Sequence, residues 1–79
     1  QLAKVHRAQA LLELARDYLS AGLLDRAEKL FLELVELGEH SDKSLQYLLD
    51  IYQQEKQWHK AIEVAQKIAS VNNMDMRLM

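Results

Sequence analysis

Apolar residues return along this chain every three or four positions, and the pattern divides it into four amphipathic segments. The first predicts a helix over about residues 3–21, with Leu11, Leu14, Ala15 and Tyr18 on one stripe. Gly22 follows Ser20 and Ala21, where a left-handed residue would close the helix. A second helix is expected over about 24–37, buried through Leu24, Ala27, Leu30, Phe31 and Leu34 and stopped by Gly38. Its first turn carries Asp25 and Glu28, where carboxylates suit the positive end of the macrodipole. Ser41 or Asp42 offers an N-cap for a third helix, about 42–54, whose inner face is Leu45, Leu48, Leu49 and Tyr52. The fourth is expected over about 57–71 through Trp58, Ala61, Ile62, Ala65 and Ile68. Asn72-Asn73 is the expected break, and Asp75 to Met79 the start of a further helix. The connections are short, so neighbouring helices must run antiparallel.

The pattern also repeats. A shift of 34 residues lays Leu11 on Leu45, Leu14 on Leu48, Tyr18 on Tyr52 and Ala27 on Ala61. Leu24 falls on Trp58, and Leu34 on Ile68. The positions between change freely, as solvent-facing positions can. Two units follow, one over about 8–41 and one over about 42–75, within a single fragment, 1–79, expected to be cut from a longer protein.

Composition supports an all-α fold. Of 79 residues, 49% are hydrophobic and 28% charged, with no proline and two glycines, too few breakers for a sheet protein that turns every ten residues. The net charge is −2 and the ten basic residues are scattered from Lys4 to Arg77, without the clustered basic face of a nucleic-acid binder. Cysteine is absent, which removes disulfides, thiolate nucleophiles and cysteine-based metal sites. No apolar run approaches the roughly 20 residues of a membrane span.

Residues able to do chemistry are few and badly placed for it. His6 has Ala10 at i+4, His40 lies in a loop, and His59 has only Glu63 at i+4. The acidic pairs Asp25/Glu28 and Glu33/Glu36 read as caps and solvated helix surface rather than acid–base machinery, which needs a buried group with a shifted pKa. There is no glycine-rich phosphate loop and no Cys/His pair. Neither a catalytic residue, a metal ligand nor a cofactor is expected within these residues. Met74, Met76 and Met79 read as the core face of a further unit.

Leu11-x2-Leu14-Ala15-x2-Tyr18 with Ala27-x3-Phe31, and Leu45-x2-Leu48-Leu49-x2-Tyr52 with Ala61-x3-Ala65, resemble the tetratricopeptide signature. Such repeats stack helical hairpins into a superhelix, with small residues where two helices cross. Ala15 and Ala27 form that crossing in the first unit, between Tyr18 and Phe31. Leu49 stands where the family prefers Gly or Ala, so the second unit is expected to be splayed or repacked. Lys56 stands where the first unit has Gly22. In such folds the concave surface is lined by the first helix of each unit. Here that implies a protein-binding groove of Gln9, Leu12, Arg16, Leu19, Lys43, Gln46, Asp50 and Gln53, with Leu12 and Leu19 as apolar anchors and Arg16 and Lys43 as orienting charges. The Lys/Asn clamp of chaperone-binding relatives is not reproduced, since Leu12 and Arg16 hold its first-unit positions.

A narrower resemblance runs over about residues 7–69. The run Ala15-Arg16-Asp17-Tyr18-Leu19-Ser20-Ala21-Gly22-Leu23-Leu24-Asp25-Arg26-Ala27-Glu28, then Leu45 to Gln53 and Trp58-His59-Lys60-Ala61-Ile62-Glu63-Val64-Ala65, is similar to the central repeats of the lipopolysaccharide assembly protein B family. The resemblance implies a bacterial adaptor with an inner-membrane anchor, cytoplasmic repeats and a zinc ribbon elsewhere in the full-length protein. It also implies a role in regulating lipopolysaccharide synthesis, with a membrane-bound AAA protease and lipopolysaccharide-synthesis proteins as partners. Two other readings stay open: a substrate-recognition appendage of a larger enzyme such as a glycosyltransferase, or a structural module that homo-oligomerises through exposed repeat ends.

Overall fold

The computed structural model describes the backbone of residues 2–78 and the side chains of residues 6–70. Four helices follow one another: α1 (Leu2–Ser20), α2 (Leu24–Leu37), α3 (Ser41–Gln54) and α4 (Trp58–Leu78), with no strand among the described residues. The packed pairs are α1 with α2, α2 with α3 and α3 with α4. A closed four-helix bundle would also bring α4 back onto α1. Instead the molecule is a slab of 38 × 37 × 15 Å, in which helices follow one another side by side.

The helix ends are set by backbone chemistry. Gly22 and Gly38 both have φ near +80°. A side chain at either would meet nothing within 4 Å, so glycine serves there for its conformation and not for space. The bonds are those of a Schellman closure. The Gly22 N–H donates to the Leu19 carbonyl and the Leu23 N–H to Tyr18; Gly38 donates to Val35 and Glu39 to Leu34. Lys56, 34 residues after Gly22, adopts the same left-handed turn at φ 60°, with Lys56 donating to Gln53 and Gln57 to Tyr52. The repeat therefore keeps its turn even where the residue suited to it has been lost.

Two expected boundaries move. The cap of α3 is His40, left-handed at φ 54°, and neither Ser41 nor Asp42; the Ser44 N–H donates to its carbonyl, and no side chain caps the end. Asn72-Asn73 does not end α4, which continues to Leu78. Asparagine costs a helix interior less than about 0.7 kcal/mol, and without glycine or proline nothing forces a stop. The expected further helix at Asp75 is thus more of α4. Met79 and the side chains of Met74 and Met76 lie outside the described residues.

The core runs through all four helices: Ala8, Leu12 and Ala15; Ala27, Phe31 and Leu34; Leu45, Leu48, Ile51 and Tyr52; Ala61 and Val64. Phe31 stacks on Tyr47 with ring centres 4.8 Å apart, fastening α2 to α3. Ala15, Ala27 and Ala61 are buried as the repeat pattern requires, and Leu49 is half-buried against the same core.

The stripes of the two outer helices differ from expectation. On α1 the buried line is Ala8, Leu12 and Ala15, with Leu11, Tyr18 and Leu19 half-buried, while Leu14 is 42% exposed. Its counterpart Leu48 is 1% exposed. On α4, Ala61 and Val64 are buried and Ile68 partly so, but Trp58 (58%), Ile62 (56%) and Ala65 are exposed. The reason is the number of neighbours. Helices α2 and α3 each pack on two helices and bury two adjoining stripes, whereas α1 and α4 each pack on one.

Candidate protein-binding faces

The first helix of each unit presents a polar line. On α3, Lys43, Gln46, Asp50 and Gln53 are all exposed at spacings of three and four residues, which puts them on one face. The Gln54 amide donates to the Asp50 carboxylate at 3.1 Å along that surface. On α1, Gln9 and Arg16 are exposed, and Arg16 borders an open hollow with Glu13, Asp17 and Ser20. Leu19 is half-buried. Leu12 is 4% exposed and belongs to the core, so it cannot anchor a guest. Of the residues expected to line a groove, the polar ones are exposed and Leu12 is not. That follows from the turn of α1 about its axis that brings Leu12, instead of Leu14, against the core.

A second cluster joins three helices. The Tyr52 hydroxyl on α3 donates to the Glu28 carboxylate on α2 at 2.6 Å. The Lys60 ammonium on α4 lies 3.9 Å from the same carboxylate and 5.6 Å from the centre of the Tyr52 ring. Burial, and then the bond to Glu28, pushes the Tyr52 phenol well above its ordinary pKa, so it stays protonated and donating. Among the described residues this is the only side-chain hydrogen bond between different helices.

The first unit contains the matching half. Arg26 sits 6.0 Å from the centre of the Tyr18 ring, as Lys60 sits over Tyr52. The signal in the sequence was a tyrosine followed eight residues later by a cation, Tyr18/Arg26 and Tyr52/Lys60, at the 34-residue repeat. Glu28 left no such signal. Its carboxylate at the start of α2 reads as a helix-end charge, and only the packing of α3 shows what it holds.

The histidines are dispersed, with His6 and His59 exposed and His40 in the turn before α3. Among the described residues no group of three or more His, Asp or Glu is placed to hold a metal ion. None of the described helices is long and apolar enough to cross a membrane.

Stacked antiparallel hairpins with a 34-residue period define the chain as a tetratricopeptide-like helical-repeat protein. Among curated proteins it is similar to Lipopolysaccharide assembly protein B of Haemophilus influenzae, 43% identical over 68 residues that cover 81% of this chain and 17% of that protein. It is likewise similar to Lipopolysaccharide assembly protein B of Escherichia coli K12, 40% identical over 72 residues, covering 91% of this chain and 18% of that one. The chain therefore spans less than a fifth of the length of the curated relatives it matches. No protein-family profile and no solved structure matches it.

Proposed function

We propose that this chain is a protein-binding scaffold segment that serves lipopolysaccharide assembly. The observation that carries the reading is the 40–43% identity, along most of the chain, to proteins named for that process. Its physical form supports it: a thin slab of helices buries little interior for its size and offers broad exposed faces, as suits binding more than chemistry. The polar line on α3 and the Gln9/Arg16 edge of α1 are the surfaces assigned to a protein partner. The family resemblance extends the reading to an adaptor held at the cytoplasmic side of the bacterial inner membrane by a segment outside these residues. Its partners would be a membrane-bound AAA protease and lipopolysaccharide-synthesis proteins, with a zinc ribbon elsewhere in the full-length protein.

The test is photo-crosslinking in a Gram-negative cell with the unnatural side chain at Gln46 or Gln53 in the full-length parent protein. Proteins of lipopolysaccharide synthesis are expected in the adducts, and fewer of them when Arg16→Glu or Lys43→Glu is introduced. Adducts confined to unrelated proteins, or unaffected by both charge reversals, would remove the assignment.

A further inference from the structure

We draw no further inference here: the strongest candidate, the open hollow of Gly38, His40, Ser41, Asp42 and Lys43 at the N-terminus of α3, rests on a helix end alone, since the buried, unpartnered Ser44 hydroxyl next to it in the chain is not part of its lining.

Discussion

Single residues here depart from their ideal in ways that can be measured. Lys56 adopts a left-handed turn that costs a side-chain-bearing residue on the order of 1–2 kcal/mol, at the place where the first unit has Gly22. Lys56→Gly should therefore raise stability by about 1 kcal/mol in urea unfolding, part of the gain being returned as unfolded-chain entropy. Ser44 is fully buried, and its hydroxyl has no hydrogen-bond partner among the described residues. Ser44→Ala keeps the small volume that the helix contact needs and removes the unpaired group, so it should stabilise by about 1 kcal/mol. A loss of stability on that change would mean that the hydroxyl is satisfied after all. The repeat comparison picks out Lys56 as the counterpart of Gly22, whereas Ser44 in a helical segment looks like surface.

At the scale of elements, the helices were legible and their rotations were only partly so. Periodicity located α2 to the residue and α1 and α3 to within one, helped by the glycines that close α1 and α2. It placed Leu14 inside and Leu12 in the groove, and the structure reverses both. Leucines at adjoining spacings give a helix two possible apolar stripes, and the choice falls to whichever neighbour arrives. Truncation measures the difference: Leu12→Ala should cost about 2–4 kcal/mol, and Leu14→Ala less than about 1. Equal losses would show Leu14 covered in solution. The helix crossings make a firmer claim. Ala27 and Ala61 are buried in the core, so leucine at either should overpack the contact and cost on the order of 1–3 kcal/mol in thermal or urea unfolding.

At the scale of the whole molecule, the Glu28 carboxylate ties the two hairpins together, taking the Tyr52 hydrogen bond and facing the Lys60 ammonium. Tyr52→Phe retains the ring and its packing but leaves Glu28 half-buried without its donor, at an expected cost of about 1–2 kcal/mol. The same bond gives the protein an alkaline weakness. The folded phenol holds its proton to higher pH than the unfolded one, so the unfolded state loses that proton first, near pH 10, and is favoured from there upward. Melting temperatures should drop more steeply above pH 10 for the native chain than for Tyr52→Phe, and parallel curves would contradict the burial of this group.

What the residues by themselves determined was everything that depends on near neighbours along the chain: four helices, antiparallel order, the 34-residue period and the small residues at crossings. The choice of stripe on α1 and α4 and the capture of Glu28 by Tyr52 were decided only by tertiary structure. Each depends on atoms brought together from different helices, and a helix that can bury either of two faces has no reason to prefer one until something packs against it.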